Sequence, residues 1–155
     1  MGSNVQPEHY IAMALRALEQ HYGPLRRSTA YRNAAVGFDG DDFLNLVIAF
    51  DTSEDVQSVS ATLARIEQQC GRERSGIRFA PRTMDCDLLM YGSRVFNDPD
   101  FRLPRAEILQ HAFILRPLAE LAGNVVHPVE KRSLADLWRD SALQDHAMQP
   151  VDLRW

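Results

Sequence analysis

The longest apolar stretch in the chain, Phe43 to Phe50, is only eight residues long and carries an amide, Asn45, inside it. That length suits one buried β-strand and falls far short of the ~20 apolar residues a membrane-spanning helix requires. Carried on to Asp51, the run is the clearest strand in the sequence, rich in β-branched and aromatic residues. Amphipathic helices flank it. From Pro7 to Tyr22, the residues Ile11, Leu15, Leu18 and Tyr22 share one face, a proline sits in the first turn, and Gly23-Pro24 stops the helix. Ser53 is placed to cap a second helix, in which Val56, Val59, Leu63, Ile66 and Cys70 recur at helical spacing before Gly71 closes it. Leu25 to Tyr31 has weak strand character, Asn33 to Gly40 reads as a loop, and Met84 to Tyr91 reads as a further strand. Helical pieces from Phe113 to Ala122 and from Ser133 to Leu143 follow. The order α-β-β-α-β with C-terminal helices predicts an α+β fold, with helices laid on a mostly antiparallel sheet. A ferredoxin-like arrangement calls for one more strand ahead of the first helix, where only Met1 to Asn4 stand. The first strand is therefore expected to be missing or truncated, exposing a partner edge.

Composition narrows the function classes. A chain of 155 residues makes one domain, 1–155, large enough to fold without a disulfide or metal staple. The net charge of −4 argues against a nucleic-acid binder that works through bulk positive potential. Cys70 and Cys86 form no pattern with any histidine and are expected to be reduced thiols. With no charged-then-apolar leader, the expected location is the cytoplasm. Sixteen of the 17 basic residues are arginine, only Lys131 being lysine.

The sharpest local feature is Pro81-Arg82-Thr83-Met84-Asp85-Cys86-Asp87-Leu88-Leu89. On a strand, Asp85 and Asp87 point to one face while Met84, Cys86 and Leu88 point to the other, apolar one. Two carboxylates so placed can share hard cations, and Mg²⁺ typically takes one or two carboxylates together with substrate phosphates. Read alone, the pair is equally a couple of exposed acids near a strand end. Just ahead lies an arginine cluster, Arg72, Arg74, Arg78 and Arg82, with Glu73 the only acid among them. The planar guanidinium fork suits phosphate oxygens. A nucleic-acid patch would interleave aromatic residues, and Phe79 is the only one there; a solvated charged loop is the bland alternative. Acids for magnesium beside arginines for phosphate are the parts needed for phosphoryl transfer, although no Gly-x-x-x-x-Gly-Lys-Ser/Thr loop is present. A third group is Phe43, Asn45 and Phe113. Strand alternation puts Phe43 and Asn45 on one face, and an amide beside aromatic rings suits the edge and faces of a flat heterocycle. A structural asparagine bonded to a neighbouring loop would look the same.

Taken in order, Gly2-Ser3-Asn4, Phe43-Leu44-Asn45, Arg65-Ile66-Glu67, Gly71-Arg72-x-Arg74, Arg78 to Asp87 and His111-Ala112-Phe113-Ile114-Leu115-x-Pro117-Leu118 resemble the 6-hydroxymethyl-7,8-dihydropterin pyrophosphokinases of folate biosynthesis. The resemblance runs over nearly the whole chain, and Pro-Arg-Thr-x-Asp-x-Asp is its most specific part. It implies a ferredoxin-like α-β-α sandwich and transfer of diphosphate from ATP to a pterin hydroxymethyl group, with AMP leaving. It implies that Asp85 and Asp87 hold two Mg²⁺ ions, and that Asp85, Asp87, Arg72 and Arg82 carry the catalytic burden. ATP would meet Glu67, Arg72, Arg74, Arg82, Arg105 and His111. Phe43 and Phe113 would sandwich the pterin, with Asn45 and Asp85 at its edge. The implied partners are these two substrates, with no nucleic acid and no membrane, and the implied state is a monomer. Phe43 stands where the family commonly has tyrosine, Phe79 where it has tryptophan, Arg105 where it has histidine and His111 where it has arginine. Cys86 replaces a leucine, and the loop Asn33 to Gly37 lacks the family's prolines. Two other readings stay open at this point: a relative that binds pterin or nucleotide without turnover, and an interaction module whose acids and arginines are only surface.

Overall fold

The computed structural model describes residues 1–37, 40–72, 82–98 and 101–153. It has an α+β architecture. The elements are β1 (Gly2–Ser3), α1 (Pro7–Tyr22), β2 (Arg26–Arg27), β3 (Ala30–Asn33), β4 (Phe43–Asn45), β5 (Ile48–Ala49), α2 (Val56–Gln69), β6 (Phe96–Asp98), β7 (Phe101–Leu103), α3 (Ala112–Ala122), α4 (Leu134–Arg139) and β8 (Gln149–Val151). Strands β1, β4, β3 and β8 form an antiparallel sheet in that order, and β2–β5 and β6–β7 are separate antiparallel pairs. Among the described residues no helix is long and apolar enough to cross a membrane.

Both long helices form where the 3.6-residue period places them. Helix α1 begins at Pro7, buries Ile11, Ala14, Leu15 and Leu18, and ends at Gly23, whose φ of 79° is a left-handed value that glycine takes without strain. Tyr22 completes the face by stacking on Phe50, with centroids 4.1 Å apart. Helix α2 is capped by Asp55 rather than Ser53: the Asp55 carboxylate accepts the Ser58 N–H at 2.8 Å. A cap must sit immediately before the first helical residue, and Val56 is that residue.

The strands depart from expectation in a consistent way. Phe43 to Asp51 is not one strand. Its first part, β4, pairs with β1 and β3, whereas β5 pairs with β2, so the chain changes partner between Asn45 and Ile48. Leu25 to Tyr31 divides likewise into β2 and the start of β3. Of Met84 to Tyr91, only Asp85 makes a bridge among the described residues, to Gly2. β1 is therefore short but internal, with β4 on one side and Asp85 on the other. The β6–β7 pair and β8 carry no clear alternation in the sequence; β8 lies at the sheet edge, where Pro150 does no harm. Ser133 caps α4, which stops at Arg139 and gives way to a 3₁₀ turn at Ala142–Asp145.

The core falls into two clusters. One joins α1 and α2 to the sheet through Ile11, Leu18, Leu44, Ile66 and Met84. The other joins α3 and α4 through Ile108, Leu115, Leu118 and Leu134, with Val47.

Candidate active site

The turn after β1 holds the acidic segment in place. Gly2 N–H donates to Asp85 O at 2.9 Å, and Asp85 N–H returns to Gly2 O at 2.8 Å. Asn4 adds a second clamp: its N–H donates to Arg82 O at 3.1 Å, and its side-chain oxygen accepts Arg82 N–H at 2.7 Å. The other end of that amide donates to Asp41 O at 3.2 Å, which ties the turn to the loop before β4. These bonds are what put residues 82–85 beside β1, and the alternation expected of a strand survives without a ladder. Met84 and Cys86 go into the core, and Asp85 and Asp87 face out.

Each carboxylate meets arginine. Asp85 accepts from Arg72 at 2.7 Å on one oxygen and from Arg82 on the other. Asp87 lies 3.1 Å from Arg105, which also reaches Glu107 at 3.2 Å. Behind Asp85, Glu67 of α2 is 5% exposed and takes the buried N–H of Cys86 at 2.7 Å as well as the Arg72 guanidinium. Burial pushes the Glu67 carboxyl above its ordinary value, against the pull of the Cys86 N–H and Arg72. The Asp87 carboxyl is pushed up too, by desolvation at the cleft floor and by the Asp85 charge, although 46% of its side chain still meets the cleft. Burial works against the Arg72 charge, but Asp85 and Glu67 outweigh it and hold the guanidinium protonated. Cys86 is an inert core thiol, its pKa pushed up to about 12 by burial.

Across the cleft stand the aromatic residues. Phe43 and Asn45 project from β4, and Phe113 opens α3, with the preceding His111 ring stacked on it at 4.9 Å and 16°. Asn45 donates to the Asn33 side-chain oxygen at 2.8 Å, which leaves its own oxygen turned toward Gly2. A Cβ on Gly2 would run into that oxygen, so a larger residue there would push the Asn45 amide aside. Phe43, Asn45, Phe113, His111, Arg82, Asp85, Asp87 and Arg105 all wall one cavity of about 590 Å³.

Residues 1–123 match the family model described as 7,8-dihydro-6-hydroxymethylpterin-pyrophosphokinase. The chain belongs to this family. It is similar to the 2-amino-4-hydroxy-6-hydroxymethyldihydropteridine pyrophosphokinases of Aquifex aeolicus, at 30% identity over 93% of this chain and 91% of that protein, and of Pseudomonas aeruginosa, at 34% over 88% and 86%. It also resembles part of the folate synthesis bifunctional protein of Arabidopsis thaliana, at 32% identity over 79% of this chain and 26% of that longer protein.

Of the residues that the resemblance to the pyrophosphokinases singled out, eight come together in the one cavity. Two stand elsewhere. Glu67 and Arg72 do not wall it but brace Asp85 and Cys86 from the α2 side. Arg74 lies outside the described residues, as do Arg78 and Phe79. Sequence reasoning missed Asn33, which orients Asn45, and Glu107, which orients Arg105. No periodicity could reveal Asn33, because its pairing with Asn45 depends on the β3–β4 register, in which Tyr31 faces Asn45 and Asn33 faces Phe43.

Proposed function

We propose that this chain transfers diphosphate from ATP to the hydroxymethyl group of 6-hydroxymethyl-7,8-dihydropterin, releasing AMP. The observation that carries the reading is the single cavity in which an aromatic and amide wall faces two carboxylates and their arginines. Family membership and the named activity of the relatives agree with it. In this reading Phe43 and Phe113 hold the pterin rings, Asn45 pairs with the heterocycle edge in the orientation Asn33 sets, and Asp85 lies at its near end. Arg82, Arg105 and His111 receive ATP phosphates, Arg72 braces Asp85 from the α2 side, and Arg74 is expected to add positive charge for the same phosphates.

Asp85 and Asp87 would hold the magnesium. The donor set fits: both side chains offer oxygen only, as a hard cation prefers, and they converge on one cleft. Among the described residues no group of three or more His, Cys, Asp or Glu could hold a metal. Two carboxylates leave most of the coordination shell to substrate phosphates, so cation and ATP would bind together. When bound, magnesium supplies charge neutralisation on the transferring group. The protein's own part is positioning and charge: the aromatic wall aligns the hydroxyl, and the arginines take up negative charge as the bond to the leaving group breaks. In this reading the chain acts as a monomer in the cytoplasm.

Incubation with ATP, Mg²⁺ and 6-hydroxymethyl-7,8-dihydropterin should yield AMP. Pterin binding without AMP would reduce the chain to a binding protein, and loss of both would remove the reading.

A further inference from the structure

Two carboxylates hold the Arg105 guanidinium at the wall of the cleft. One terminal nitrogen lies 3.1 Å from Asp87, and the other donates to Glu107 at 3.2 Å. A guanidinium is planar, so acceptors on two separate nitrogens fix both its plane and its direction. The root of the side chain is fixed as well, because the Arg105 N–H donates to Leu89 O at 3.0 Å.

Glu107 is the anchored end of this arrangement. It belongs to the 3₁₀ turn Ala106–Leu109, next to the buried Ile108. Its carbonyl accepts the Gln110 N–H at 3.1 Å and the His111 N–H at 3.2 Å. One residue therefore ties Arg105 by its side chain and His111 by its backbone. Burial works against the Glu107 charge, but its own backbone N–H and Arg105 prevail and hold the carboxyl below its ordinary value. Glu107 is thus an anion at neutral pH. Asp87 is assigned above to magnesium, and Glu107 has no such second duty.

An anion at the rim of a phosphate site repels the ligand when it acts alone. Glu107 must therefore return more than that repulsion costs, or the site would be better without it. The side chain is 41% exposed, so water damps its effect on a phosphate that it does not touch. Arg105 is different, since it would meet the phosphate directly. An arginine released from Glu107 regains the freedom of a long side chain, and ATP would have to order it again on binding.

We infer that Glu107 is a positioning residue for ATP: it acts through Arg105, aiming the guanidinium at the phosphates, and this gain exceeds the repulsion of its own charge. The inference rests on the reading of Arg105 as a phosphate contact.

The test compares Glu107→Ala in the parent and in an Arg105→Ala background, with ATP affinity read by calorimetry in Mg²⁺ without pterin. In the parent, Glu107→Ala should weaken ATP about five- to tenfold, the scale of one hydrogen bond to a charged group. In the Arg105→Ala background the sign should reverse, with ATP about twofold tighter, because only the repulsion is left to remove. Pterin affinity should hold, and the melting temperature should stay within about 2 °C of the parent's. Tighter ATP binding in the parent background would overturn the inference, leaving Glu107 a bare repelling charge. Equal losses in both backgrounds, or a lower melting temperature with weaker pterin binding, would overturn it by making Glu107 a structural part of the turn. If Arg105→Ala itself leaves ATP affinity unchanged, the phosphate role of Arg105 fails and the inference with it. If Arg105→Ala weakens ATP and the sign does not reverse, the inference fails alone.

Discussion

Replacing Glu67 separates two roles that the sequence cannot tell apart. A residue beside the nucleotide would give up ATP affinity when changed and little stability. In the structure Glu67 is 5% exposed, accepts the buried Cys86 N–H at 2.7 Å, and pairs with Arg72. Glu67→Ala strands that N–H, at about 1–3 kcal/mol, and opens space in the α2 face. Losing the Arg72 pair is partly offset, since the raised Glu67 pKa marks an ion already costly to bury. The sum is roughly 2–4 kcal/mol, which in a domain of this size lowers the melting temperature by about 5–15 °C. Glu67→Gln keeps an oxygen for the Cys86 N–H and gives up the charge, so it should stay within about 1 kcal/mol of the parent. The pH dependence has a definite sign. A folded carboxyl raised above its ordinary 4.5 binds more protons than the unfolded one, so its contribution to stability falls as pH rises from there through the folded value. The stability difference between parent and Glu67→Gln should drift against the parent over that window. Thermal melts at several pH values, together with ATP affinity, decide the matter. A Glu67→Ala protein that melts with the parent but binds ATP weakly would refute the bracing role.

Asp85→Asn and Asp87→Asn should each abolish AMP formation and leave the fold intact, because neither side chain enters the core; near-parental turnover at saturating Mg²⁺ would remove the metal assignment. Asn45→Ala should weaken pterin binding by roughly 1–3 kcal/mol with ATP affinity little changed, as calorimetry with each ligand would read; parallel weakening with a lower melting temperature would make Asn45 structural. His127 is 4% exposed, with Nδ1 accepting the Glu130 N–H at 3.1 Å, and burial depresses its pKa below 6.5. Its share of stability is therefore complete above 6.5 and lost as pH falls through the folded value, and His127→Leu should flatten the fall of melting temperature in that range.

Helix α1 stands at the residues its apolar period marks, because a helix closes its own hydrogen bonds and needs from the rest of the protein only a surface for one face. The alternation of Met84, Asp85, Cys86 and Asp87 was legible for a similar reason, since burial of every second residue is a local pattern. Strand ends were not. Nothing within Phe43 to Asp51 announces that its two ends pair with different neighbours, or that only Asp85 of Met84 to Tyr91 finds one. The site divides along the same line. Asp85, Asp87, Phe43, Asn45 and Phe113 announced themselves by chemistry out of keeping with their surroundings: acids on a strand, an amide in an apolar run, aromatics beside it.

Residue types and their spacing alone determined the helices, the core and solvent faces of each segment, and which side chains are candidates to meet a cation, a phosphate or a flat ring. Only the tertiary structure decided that Glu67 lies beneath Asp85 instead of facing the cleft, that Asn33 turns the Asn45 amide, and that Arg105 meets Asp87. Each of these joins residues far apart in the chain. Their meeting depends on strand register and helix packing, which are set by the whole set of contacts at once and leave no period in any one segment.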